Sequence, residues 1–68
     1  MREIKIDTEF IKLGQLLKMS GIAASGSYAK IYISEGLVSV NDEVDLRRGR
    51  KCYPGDIVSY EDQVLKVI

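Results

Sequence analysis

Residues 10–36 read FIKLGQLLKMSGIAASGSYAKIYISEG, and the spacing of apolar side chains in this stretch decides the fold. Phe10, Leu13 and Leu17 stand at i, i+3 and i+7, with Leu16 widening the stripe, which predicts an amphipathic helix over roughly residues 8–20. Asp7 or Thr8 is its expected cap, and Glu9 in the first turn suits the positive end of the helix dipole. Lys18 falls in the last turn and Gly21 just beyond it, where a left-handed glycine ends a helix. Ser25-Gly26-Ser27 is a second start signal, Tyr28, Ala29, Tyr32 and Ile33 form the next apolar stripe, and Gly36 closes it. A second helix over about 26–35 follows. The connection between the two is short, so they pack as neighbours.

Outside this stretch the period drops to two. Glu3 to Ile6 alternates polar and apolar residues and predicts a first strand. Val38 and Val40 alternate with Ser39, and Asn41-Asp42 supplies two residues that tolerate positive φ, as a tight hairpin requires. Glu43 to Leu46 is the expected return strand. Pro54-Gly55 fits the centre of a type II turn, and Ile57–Tyr60 and Gln63–Ile68 flank Glu61-Asp62 as a second hairpin. The predicted class is α+β: two packed helices on one side of a small, mostly antiparallel sheet, in a single domain covering residues 1–68.

Composition narrows the function. The 68 residues are 46% hydrophobic and 29% charged, an ordinary globular mixture. No apolar run is long enough to span a bilayer, and no apolar stretch follows Arg2 as a signal peptide requires. One cysteine, Cys52, cannot form an internal disulfide and fits a reducing compartment; the expected location is cytoplasmic. Histidine is absent, which removes imidazole catalysis and His-containing zinc sites. Asp42, Glu43 and Asp45 lack calcium-loop spacing and read as a solubilising hairpin. No nucleophile–base pair, phosphate-cradling glycine loop or carboxylate pair is present. No enzymatic activity, cofactor or metal is expected.

The formal net charge is zero, yet the charge is segregated along the chain. Residues 19–46 carry a net −3, whereas Arg47-Arg48-Gly49-Arg50-Lys51 packs four positive charges into five positions. A polyanion meets the local field and not the total. Most charge runs are solvated loops, but three of these four are arginines, whose planar fork binds phosphate bidentately. Lys18 and Lys30 extend the charge onto the helices if these face the loop, and the acids of 42–45 and 61–62 are expected to turn away. The serines around Gly26 read first as helix caps and second as a phosphate seat at a helix N-terminus. Tyr28, Tyr32, Tyr53 and Tyr60 read first as half-buried core and second as stacking surfaces for unpaired bases. Cys52 reads as a half-buried strand residue.

Taken together, Leu13-Gly14-Gln15-Leu16-Leu17-Lys18, Gly21-Ile22-Ala23, Ser25-Gly26-Ser27 with Ala29-Lys30, Glu35 to Asn41, Arg47 to Lys51 and Pro54 to Val58 resemble the S-four-type RNA-binding domain, the αL motif. The likeness spans about residues 8–60 and is greatest to the short stand-alone bacterial proteins of the YaaA/YbcJ-like group. It implies binding of structured RNA through a face made by the two helices and the loop after the hairpin. Carried over by position, the RNA-facing candidates are Lys18, Ser25, Ser27, Lys30, Asn41, Arg47, Arg48, Arg50 and Lys51. Many family members carry an arginine where Gly26 or Ser27 stands and an Asn-Gly hairpin where this chain has Asn41-Asp42. The weaker basic helix shifts more of the binding onto the 47–51 loop.

The resulting expectation is a non-catalytic binder of structured RNA, ribosomal RNA above all. Two rivals fit a basic loop as well: a protein-interaction adaptor that meets an acidic surface, and a DNA-associated accessory factor.

Overall fold

A computed structural model describes all 68 residues. In chain order the elements are β1 (Arg2–Ile4), β2 (Ile11–Lys12), α1 (Leu13–Met19), α2 (Gly26–Ser34), β3 (Val38–Val40), β4 (Glu43–Val44), β5 (Lys51–Cys52), β6 (Ile57–Tyr60) and β7 (Gln63–Val67). Five strands form one sheet in the order β1-β7-β6-β3-β4, and β2 and β5 form a separate two-stranded ribbon. Every pairing is antiparallel except that of β1 with β7, where Arg2 lies beside Leu65 and Ile4 beside Val67. The α+β class with two helices on a mostly antiparallel sheet is as the periodicity predicts.

Leu13, Leu16 and Leu17 of α1 and Ala29 and Ile33 of α2 bury completely against Val38, Val40, Val58, Leu65 and Val67 of the sheet. Burial of the leucine, isoleucine and valine side chains among these contributes roughly 1.5–3 kcal/mol each, which is what holds two helices of seven and nine residues that are too short to persist alone. The second helix ends as its glycine predicts. Gly36 has φ +76°, its amide bonds the Ile33 carbonyl at 3.1 Å, and the Leu37 amide bonds the Tyr32 carbonyl at 3.0 Å. That pair of bonds is the Schellman closure. The turns agree as well: Asn41 and Asp42 both have positive φ, Val40 pairs with Glu43, and Gly55 at φ +102° sits in a turn closed by Asp56 N to Tyr53 O at 2.9 Å.

The first helix does not follow its predicted bounds. It runs over Leu13–Met19 instead of 8–20, and neither Asp7 nor Thr8 caps it; the Thr8 hydroxyl donates to the Phe10 carbonyl at 2.8 Å. Residues 11–12 are extended because Ile11 and Lys12 pair with Cys52 and Lys51. Phe10 leaves the helical stripe and packs on Tyr53, with ring centroids 5.8 Å apart. Nothing local marks this boundary, since the N-cap residue, Lys12, makes no side-chain cap bond. Strand bounds also shift: β1 covers 2–4 where 3–6 was expected, and β4 stops at Val44. Cys52 is fully buried in the core, deeper than its pattern suggests.

Candidate nucleic-acid interface

The loop that follows β4 is built around a buried carboxylate. Asp45, only 7% exposed, accepts four hydrogen bonds: Oδ1 from the Arg47 amide (2.9 Å) and Arg47 Nε (3.0 Å), Oδ2 from Arg47 Nη2 (2.8 Å) and Arg50 Nη1 (3.0 Å). The bidentate Arg47 contact is the main reason the carboxyl is held well below the usual carboxylate range, outweighing the opposing effect of burial. Asp45 raises the Arg47 pKa in turn. The expectation that this acid belongs to a solubilising hairpin turned away from the basic loop is therefore corrected. Arg47 and Arg50 converge on it because one carboxylate offers several acceptor sites, and burial makes each bond worth more than it is in water.

The same loop reaches the first helix. The carbonyls of Arg50 and Arg48 accept the amides of Leu13 and Gly14, at 2.8 and 3.0 Å, taking the place of a capping side chain. Gly14 has no Cβ, and one built there would lie 2.7 Å from Arg48 Cγ, so the Arg48 side chain passes directly over the first turn of α1.

Beyond Arg48 lies an open cleft. Lys12, Gly14, Gln15 and Lys18 line one wall, Ser25, Gly26, Ser27 and Lys30 of the α2 start line the other, and Arg48 and Gly49 close it. It holds four cations, no acid and no hydrophobic side chain. None of these cations is in an ion pair, because both ion pairs of the structure join Asp45 to Arg47 and Arg50. The Ser25 hydroxyl accepts the Tyr28 amide at 3.3 Å and so caps α2. The amides of Gly26 and Ser27 make no hydrogen bond within the chain, which leaves the positive end of the helix open to the cleft.

The nine sequence-derived candidates divide three ways. Lys18, Ser25, Ser27, Lys30 and Arg48 meet in the cleft. Arg47, Arg50 and Lys51 border a second depression with Tyr53 and Asp56, joined to the cleft through Gly49. The Lys51 ammonium sits 4.8 Å from the centre of the Phe10 ring. Asn41 belongs to neither surface: its Nδ2 donates to Asp56 Oδ1 at 3.1 Å and its Oδ1 accepts the Ile57 amide at 2.9 Å, tying the hairpin to β6. Lys12, Gly14, Gln15 and Gly49 also line the cleft, although none is among those nine. Helical spacing from Lys18 carries a signal for Gln15 and Gly14, three and four residues back on the same face. No sequence signal marks Lys12, which is placed by long-range pairing of β2 with β5. Of the tyrosines, Tyr32 and Tyr60 stack on each other at 4.6 Å and are half-buried, while Tyr28 is exposed.

Two short helices laid on a mostly antiparallel sheet, with a basic loop crossing the start of the first helix, define an αL domain. The solution structure of YbcJ from Escherichia coli, described as revealing an αL motif involved in RNA binding, superposes with a TM-score of 0.77 at 33% identity, covering 100% of this chain and 87% of that one. The S4 domain family matches residues 4–68, and the chain belongs to that family. Among its relatives is the "Probable ribosome maturation protein RlbA" of Bacillus subtilis (strain 168), 57% identical over 58 residues that make up 85% of this chain and 82% of that protein. Another is the "Putative RNA-binding protein YbcJ" of Escherichia coli (strain K12), 38% identical over 58 residues, 85% of this chain and 83% of the other.

Proposed function

We propose that this protein is a non-catalytic binder of structured RNA, acting in the cytoplasm on ribosomal RNA or a ribosome-assembly intermediate, with the cleft between α1, α2 and the 47–51 loop as its contact surface. One observation carries the reading: four unpaired cations from three separate parts of the chain converge on a surface free of acids. Bringing like charges together costs energy unless a polyanion neutralises them. A-form RNA hides its major-groove edges and presents phosphates and 2′-hydroxyls, which cations, serine hydroxyls and free helix amides can all contact. The names of the Bacillus subtilis and Escherichia coli relatives support RNA and ribosome maturation as the setting.

The test titrates the protein against bacterial ribosomal RNA, duplex DNA and an acidic protein at two salt concentrations. Tightest binding to ribosomal RNA, lost in Lys18→Ala/Lys30→Ala, is the expected result. Equal binding to duplex DNA favours the DNA-accessory role, and preference for the acidic protein replaces RNA binding by an adaptor role.

A further inference from the structure

We propose that Asp45 and Gly14 are positioning residues that aim Arg48, alone among the loop arginines, into the cleft, which presupposes that the cleft is the RNA-binding surface proposed above. Neither residue needs to touch RNA for this.

The loop presents its arginines unequally. Arg47 and Arg50 are both drawn back onto the Asp45 carboxylate, and the Arg50 amide donates to the Arg47 carbonyl at 3.2 Å, closing a turn with Arg48 and Gly49 at its tip. Arg48 stands between two anchored neighbours, with its own carbonyl held by the Gly14 amide at 3.0 Å. Its side chain crosses Gly14 at a distance that no Cβ tolerates. The backbone is thus fixed from behind by Asp45 and the side chain is admitted from below by Gly14. An arginine held in its bound direction loses less conformational freedom on contact with phosphate than one on a free loop.

Two substitutions separate this arrangement from plain electrostatics. Asp45→Asn removes a negative charge beside a polyanion site, so charge alone predicts tighter RNA binding; loss of the clasp predicts weaker binding. Gly14→Ala leaves every charge in place, so charge alone predicts no change, whereas displacement of Arg48 predicts a loss. Alanine is the better helix former, so Gly14→Ala is not expected to fail through helix propensity.

The experiment measures affinity for purified bacterial ribosomal RNA across a salt series, using the full chain. Thermal unfolding of each variant confirms that it is folded at the assay temperature. Gly14→Ala is expected to weaken binding about as much as Arg48→Ala, roughly tenfold for one charged contact, and to shallow the salt slope by the same amount, roughly 0.7–0.9. The double variant is expected to bind no more weakly than Arg48→Ala alone, because both changes remove one contact. Asp45→Asn is expected to bind severalfold more weakly despite the loss of a negative charge. Additive losses at 14 and 48, or an unchanged slope in Gly14→Ala, overturn the role of Gly14. Tighter binding by folded Asp45→Asn overturns the role of Asp45. If that variant does not fold, Arg47→Lys, which keeps the charge and loses the bidentate contact to Asp45, takes its place: weaker binding is expected, and unchanged affinity overturns the role of Asp45. Failure of the unaltered protein to bind, or binding insensitive to Lys18→Ala, instead removes the RNA reading on which the proposal stands.

Discussion

The backbone amide of Leu13 donates to the carbonyl of Arg50 at 2.8 Å, so the first helix is started by a loop from the other half of the chain. Through this bond and its neighbour from Gly14 to Arg48, the basic loop and the wall of the cleft are one structural unit. A change that loosens the loop therefore frays the helix carrying Lys18.

Salt dependence follows from the cleft. Lys12, Lys18, Lys30 and Arg48 are unpaired, so log–log plots of RNA affinity against salt are expected to fall with a slope of about −3 for four contacts. Each alanine substitution among them shallows the slope by roughly 0.7–0.9. Lys66→Ala, on β7 outside the cleft, serves as the charge control and leaves the slope unchanged. A near-zero slope, or equal effects at Lys66 and Arg48, rejects the cleft as the RNA site.

Gly36→Ala forces a side chain into left-handed backbone at φ +76°. The ideal Cβ meets only Val44 and Leu46 at ordinary contact distances, so the cost is conformational, roughly 1 kcal/mol. A lowered melting temperature with RNA affinity unchanged below the transition is the expected outcome of calorimetry and titration.

Asn41→Ala is expected to act on stability and not on RNA affinity. The amide braces the hairpin against Asp56 and Ile57, and the backbone is left-handed at φ +52°. Reduced RNA affinity in this variant, measured while it is folded, assigns Asn41 to the RNA surface after all.

Acid sensitivity is expected to centre on Asp45. Its folded pKa lies below the ordinary 3.8, so its ionisation stabilises the fold above that value and the stabilisation is lost as pH falls toward the folded pKa. Melting temperatures of the unaltered protein and Asp45→Asn, followed from pH 7 to pH 2, should converge at the acid end. A constant gap across the series argues against an ionised clasp.

The thiol of Cys52 is expected to be inert. Burial pushes its pKa up to about 11, leaving almost no thiolate at pH 8. Reaction with a thiol-specific disulfide reagent should proceed only at the rate of unfolding and accelerate with denaturant; rapid labelling of the folded protein contradicts the burial.

Local rules were enough for much of this architecture. The Leu16, Leu17, Ala29 and Ile33 stripe, the Gly36 closure and the Asn41-Asp42 turn each depend on residues within a few positions, and each forms as read; of the two serines read as caps of the second helix, Ser25 is the one that does so. The cleft was partly legible for the same reason, since Lys18, Ser25, Ser27 and Lys30 lie on or beside the two helices whose packing the periodicity predicts.

What the local rules missed depends on partners far along the chain. A stripe that includes Phe10 reads as helix until Ile11 and Lys12 find Cys52 and Lys51, and strand pairing then wins over helix periodicity. Arg47, Arg48 and Arg50 are indistinguishable as charges in sequence. Tertiary structure separates them, because burying Asp45 requires its charge to be compensated, and the two arginines within reach compensate it while the third passes over a glycine. Sequence alone determined the second helix, the body of the first from Leu13 onward, the turns and the basic loop, through short-range sterics and hydrophobic spacing. The direction in which each arginine points was decided only when desolvation of one carboxylate and close approach to one glycine were imposed by the folded chain.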